Sequence, residues 1–151
     1  MMSGEDVIDS TRGAWIVIGN DYELELIQQR SGLDVNGLLG LAEMVVTTLG
    51  RQGSRIATRL QTVEIPAASP AREADPTGAG DAYRAGLVAG LLRGLDLEGA
   101  GRVASLAATY AVEQVGTIEH GYTRAEFSAR YLEAFETELP EKFWPDKERS
   151  K

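Results

Sequence analysis

Residues 75–86 read Asp-Pro-Thr-Gly-Ala-Gly-Asp-Ala-Tyr-Arg-Ala-Gly, and the reading of the fold turns on them. Gly78, Ala79 and Gly80 stand where a loop becomes an apolar helix, with one acid, Asp81, directly behind them. Small residues let backbone N–H groups approach a ligand closely. A helix N-terminus adds unpaired donors and partial positive charge, which suits an anion and above all a phosphate. A carboxylate beside a bound phosphate requires a reason, because like charges repel. Taking a proton from an attacking hydroxyl is one such reason. By itself, Gly-x-Gly-Asp also describes an N-capped helix with an acidic first turn, an arrangement favoured by about 0.3–1 kcal/mol.

Downstream, the helix after Gly80 carries Ala82, Tyr83, Ala85, Leu87, Val88, Ala89, Leu91 and Leu92. Apolar almost all round, it is expected to be central and buried, with Gly94 as its stop. Asp96 caps the next helix, which is expected to run to Gly116. The capping box of Thr123 and Glu126 opens a last helix, with Pro140 beyond its end. Upstream, Trp15-Ile16-Val17-Ile18 and Met44-Val45-Val46-Thr47-Thr48 are continuous apolar runs that suit buried parallel strands. Residues 20–30 begin with a good N-cap and acids in the first turn, so they read as helix, ended by Ser31-Gly32. Residues 35–42 suggest a further short helix. Residues 55–59 and 61–65 alternate and predict two antiparallel edge strands. Strand, helix, strand, hairpin and helices together predict an α/β domain with a mainly parallel sheet.

The whole chain sets limits. Its 151 residues can bury one respectable core. A formal charge of −8 argues against nonspecific nucleic-acid binding and against an anionic membrane surface, although a local pocket can still hold ATP. With no cysteine there is no disulfide framework and no thiolate nucleophile, and a single histidine leaves no multi-histidine metal site. No apolar run is long enough to span a membrane, and Met-Met-Ser-Gly-Glu-Asp does not read as a signal peptide, so a cytoplasmic protein is expected.

Two common phosphate loops do not fit. Gly-x-x-x-x-Gly-Lys-Ser/Thr is absent, and a dinucleotide fingerprint would need its third glycine where Tyr83 stands. Asp-x-Thr-Gly-Ala-Gly-Asp-Ala, residues 75–82, instead resembles the C-terminal signature of the PfkB (ribokinase-like) carbohydrate and nucleoside kinases. The resemblance implies that Gly78, Ala79 and Gly80 form an anion hole and that Asp81 is the catalytic base. Asn20-Asp21-Tyr22-Glu23 matches the family's Asn-x-x-Glu motif, so Asn20 and Glu23 are implied to place Mg²⁺. Alone, the same pair is an N-cap and its capping-box partner. Residues 47–53 resemble the family's Thr-x-Gly-x-x-Gly turn, which implies nucleotide contacts at Thr48, Gly50 and Gly53, with Thr77 as a further one. A glycine-bearing hairpin turn is the plainer account of the same residues. Some members hold a monovalent cation at positions matching Asp75, Thr77, Ala111 and Gly116, but here the usual Ser-type ligand is missing and His120 stands nearby.

The tail (residues 108–120, then Tyr122-Thr123, Glu126-Phe127, Arg130-Tyr131 and Phe135) is similar to prokaryotic adenosine kinase-like members. The implied function is ATP-dependent phosphorylation of a primary alcohol of a nucleoside, adenosine first. A sugar kinase of the same family or a non-catalytic nucleotide-binding fragment are the alternatives. Two central strands and a hairpin are few for such a sheet. The resemblance accordingly implies the C-terminal part of a three-layer α/β/α fold: residues 1–13 as extension or truncation point, 14–138 as the nucleotide-binding part, 139–151 as a flexible tail. Self-association through the face normally covered is expected.

Overall fold

A computed structural model describes residues 3–70, 77–113 and 122–144. The chain divides into two compact units, Met1–Ile65 and Pro66–Lys151. The first holds α1 (Gly4–Thr11), β1 (Ile16–Asn20), α2 (Asp21–Ser31), α3 (Val35–Leu39), β2 (Met44–Thr48), β3 (Ser54–Thr58) and β4 (Thr62–Ile65). The second holds α4 (Ala79–Leu92), α5 (Leu97–Glu113), α6 (Arg124–Phe135) and a short 3₁₀ turn, Glu141–Phe143.

In the first unit the sheet order is β1-β2-β3-β4. β1 and β2 are parallel, whereas β2–β3 and β3–β4 are antiparallel, so the sheet is mixed. Its parallel part is the pair expected from the two continuous apolar runs. One expectation needs correction: β3 pairs on both sides and is an interior strand, leaving only β4 of the hairpin at an edge. Alternation in residues 55–59 reports which face is buried, not how many neighbours a strand pairs with. Leu24, Leu38, Leu39, Val45 and Ala57 form the buried cluster between the sheet and helices α2 and α3, with Val17, Ile27, Leu33 and Val35 around it. α1, to which the sequence reading assigned no element, is a helix with a complete capping box between Ser3 and Asp6. Those hydrogen bonds hold the Asp6 carboxyl below its usual range.

In the second unit α4 and α5 pack closely because two glycines permit it. A β-carbon added at Gly86 would lie 2.8 Å from the Ala104 α-carbon, and one at Gly90 2.8 Å from that of Ala100. α4 is not buried all round, as its composition suggested. It buries Tyr83, Gly86, Leu87 and Gly90, while Leu92 is 74% exposed. The segment before the signature is pinned to α5. Ser105 Oγ accepts from Ala68 N–H at 2.9 Å and donates to the Pro66 carbonyl at 3.0 Å. Arg130 lies over the Tyr110 ring and forks onto the Glu113 carboxylate, which holds the guanidinium protonated well beyond its ordinary range. Phe143 is buried, and Trp144 Nε1 donates to Ser128 Oγ at 3.0 Å, so this part of the expected tail docks. No described helix is long and apolar enough to cross a membrane.

Candidate functional site

Parallel strands place their carboxyl ends at the same end of a sheet, where α/β proteins collect ligands. The register here pairs Asn20 with Thr48 across β1 and β2. Each strand is followed at once by one of the sequence motifs. Asn20 caps α2: its Oδ1 accepts from Glu23 N–H at 2.8 Å, and its own N–H donates to Glu23 Oε2 at 2.9 Å. Gly19 leaves room beside this box, since a β-carbon there would lie 3.0 Å from Glu23 Oε2 and 2.6 Å from Leu24 Cδ2. Asn20 and Glu23 are therefore a structural pair, as the plainer reading held. That does not exhaust them: Glu23 is exposed, and only one of its two carboxylate oxygens serves the cap.

After β2 the chain makes a 3₁₀ turn, Gly50–Gln52, with φ of 57° at Gly50 and 93° at Gly53. Both angles favour glycine. Leu49 N–H donates to the Gly53 carbonyl at 2.8 Å, and Gly53 N–H to that of Gly50 at 3.1 Å. Thr48 Oγ1 lies 3.5 Å from the Gly19 carbonyl oxygen, which ties the two motifs together at the strand ends. Within the first unit the structure thus brings Asn20, Glu23, Thr48, Gly50 and Gly53 to one end of the parallel pair.

The second unit holds the signature. Gly78 adopts a left-handed conformation, φ 86° and ψ −8°, directly before Ala79 opens α4. The other helices begin under a side-chain cap, from Ser3, Asn20, Asp34, Asp96 and Thr123. α4 begins under none. The N-cap residue Gly78 has no side chain to cap the first-turn amides, which lie at the positive end of a 14-residue helix. Among the described residues a β-carbon at Gly80 would meet no atom within 4 Å, so they impose no steric need for glycine there. Asp81 lies in this first turn with its side chain 85% exposed, and accepts from Arg84 Nη1 at 2.8 Å. Arg84 was not singled out from the sequence, although an acid and an arginine three apart on a helix was a readable signal. Thr77 precedes Gly78 and is exposed. Asp75, Gly116 and His120 lie outside the described residues, and with them half of the expected cation site.

A hollow of about 420 Å³ in this unit lies elsewhere, between Ala and Gly positions of α4 and α5 and the rings of Tyr110, Phe127 and Trp144. Of the signature residues only Ala82 lines it, and its largely apolar walls are unsuited to a phosphate. Among the described residues no three His, Cys, Asp or Glu side chains gather as a metal site. A cation at Glu23 would rest on few protein ligands and keep much of its water, which is the habit of Mg²⁺.

A profile of the pfkB family carbohydrate kinases matches residues 3–123. A nucleoside kinase of Methanothermobacter thermautotrophicus is 42% identical over 103 residues, 68% of this chain and 33% of that protein. The solved nucleoside kinase of Burkholderia thailandensis in complex with ADP-inosine superposes with a TM-score of 0.87 at 34% identity, over 99% of this chain and 46% of that one. For the nucleoside kinase of Methanocaldococcus jannaschii, an archaeal member of the ribokinase family, the TM-score is 0.82 at 28% identity, over 87% and 44%. The fold is therefore ribokinase-like α/β, as the signature implied. The chain spans a third to under half of the length of these kinases.

Proposed function

Because the chain belongs to the pfkB carbohydrate kinase family, we propose that it serves ATP-dependent phosphoryl transfer to a primary hydroxyl of a nucleoside, adenosine or a close relative first. The observation that carries this reading is the uncapped start of α4, with left-handed Gly78 before it and the Asp81 carboxylate in its first turn. The nucleoside kinase relatives support the class of acceptor. Asp81 takes the proton of the attacking hydroxyl. The N–H groups of Gly78, Ala79 and Gly80 receive the charge that develops on the transferred phosphoryl group. Thr48, Gly50, Gly53 and Thr77 contact the nucleotide. Mg²⁺ would be held by Glu23 through the oxygen its cap leaves free, with Asn20 assisting through water. When bound, the ion neutralises charge on phosphate oxygens. Chemistry that consumes ATP also fits a cytoplasmic setting.

The test is ADP formation by the purified chain, with ATP binding measured alongside, over a panel of adenosine, inosine, ribose and fructose. Nucleoside-dependent ADP formation is the expected result, and Asp81→Asn should lower turnover by about 10²–10⁴-fold while ATP still binds. ADP formation only with ribose or fructose would move the reading to a sugar kinase. ATP binding with no acceptor-dependent turnover would leave a nucleotide-binding module, and absence of ATP binding would sink the reading altogether.

A further inference from the structure

We propose that Arg84 is a positioning residue for Asp81, holding one carboxylate oxygen so that the other faces the acceptor hydroxyl. This rests on the phosphotransfer reading given above. The physical problem is the one posed by the sequence: a base that must remain a carboxylate beside the phosphates of ATP. Arg84 Nη1 lies 2.8 Å from Asp81 Oδ1, one helical turn behind the Gly78–Gly80 amides. The two side chains are 46% and 85% exposed, and an i,i+3 pair so open to water contributes little to stability. Stability therefore does not account for the arrangement. Its effect on the carboxylate does.

A free aspartate on a first turn can swing between staggered rotamers, and a carboxylate facing bound phosphate is driven away from it. Fixing Oδ1 on a guanidinium selects one rotamer and places a countercharge on the side of the carboxylate away from its reacting oxygen. Oδ2 is then the atom that receives the hydroxyl proton as the hydroxyl oxygen bonds to the γ-phosphorus and the bond to ADP breaks. The planar, permanently charged guanidinium suits this holding role, since it never gives up its own proton to the base. Lysine keeps the charge but not the fork, so it should do part of the work.

The experiment is a double-mutant cycle in ADP formation, with wild type, Arg84→Ala, Arg84→Lys, Asp81→Asn and the double variant Asp81→Asn/Arg84→Ala. Arg84→Ala should lower kcat by about tenfold, since misplacing a reacting group is costly, while KM for ATP stays within about twofold. Arg84→Lys should recover part of that loss. In the Asp81→Asn background Arg84→Ala should do nothing further, because there is no base left to position. Thermal melting should be the same for wild type and Arg84→Ala, which separates positioning from folding. An unchanged kcat in Arg84→Ala overturns the proposal, as does an equal loss in both backgrounds. A wild-type chain that binds no ATP, or binds it without turnover, overturns the phosphotransfer reading itself and this role with it.

Discussion

At Gly78 the backbone stands at φ 86°, while at Gly80 it is helical and a methyl group would touch none of the described residues. The same substitution therefore separates two uses of glycine. Gly78→Ala forces a β-carbon into the left-handed region, costing roughly 1–2 kcal/mol and disturbing the entry to α4. Gly80→Ala should be neutral, or up to about 1 kcal/mol more stable, because alanine is the better helix former. If the amides of this turn approach a phosphate, the methyl at position 80 occupies the space that the ligand needs. Gly80→Ala should then melt no lower than wild type and yet bind ATP more weakly. Wild-type ATP affinity in that variant would remove the close-approach role of Gly80, whatever the fate of Gly78.

Among the elements, the α4–α5 pair depends on two other glycines, and here the reason is steric. A β-carbon at Gly86 would meet the Ala104 α-carbon at 2.8 Å and the Val103 carbonyl oxygen at 3.2 Å. Backbone cannot step aside as a flexible side chain can, so Gly86→Ala must push the helices apart. Overpacking of this kind costs about 1–3 kcal/mol, and it should outweigh the helical preference for alanine and lower the melting temperature. A melting temperature at or above wild type would show that the pair has slack. α6 carries a pH-dependent device at its start. Thr123 N–H donates to the Glu126 carboxylate at 2.6 Å, and the Thr123 hydroxyl adds to it, holding the Glu126 carboxyl below its usual range. A depressed pKa in the folded state means stability that is present above the unfolded value and lost as pH falls through the folded one. Glu126→Gln keeps the capping pattern without titrating. Wild type should therefore melt above Glu126→Gln at about pH 6, and the gap should shrink as pH falls below the ordinary glutamate range. A gap independent of pH would assign the effect to packing. These caps were legible in the sequence because they depend on residue type at fixed spacing, as at Asn20/Glu23 and Thr123/Glu126. The parallel strands were legible as unbroken apolar runs. The interior place of β3 and the exposed side of α4 were not, because each depends on which neighbours the chain finds. Asp81–Arg84 was readable as spacing, but only the geometry shows the contact.

For the whole molecule the two edges of the sheet are unequal. Pro66 directly follows β4, and the strand's Glu64 is paired with Arg55 at 2.6 Å on the exposed face, both common protections against edge pairing. β1 has neither: Ile16, Val17 and Ile18 are half-buried, Trp15 beside them is 42% exposed, and β2 is its one described partner. An apolar run without alternation belongs in a sheet covered on both faces and paired on both sides. Opposing association is a formal charge of −8, which keeps copies apart at low ionic strength. The balance predicts self-association through β1 that grows with protein concentration and with salt, since salt screens the repulsion but not the apolar edge. Sedimentation across a dilution series, at low and at physiological ionic strength, reads both dependences. Ile18→Lys should abolish the association, because a charge on an edge strand blocks strand addition. A wild-type chain that sediments as a monomer throughout would show that the charge prevails. Association that persists in Ile18→Lys would instead place the contact away from β1.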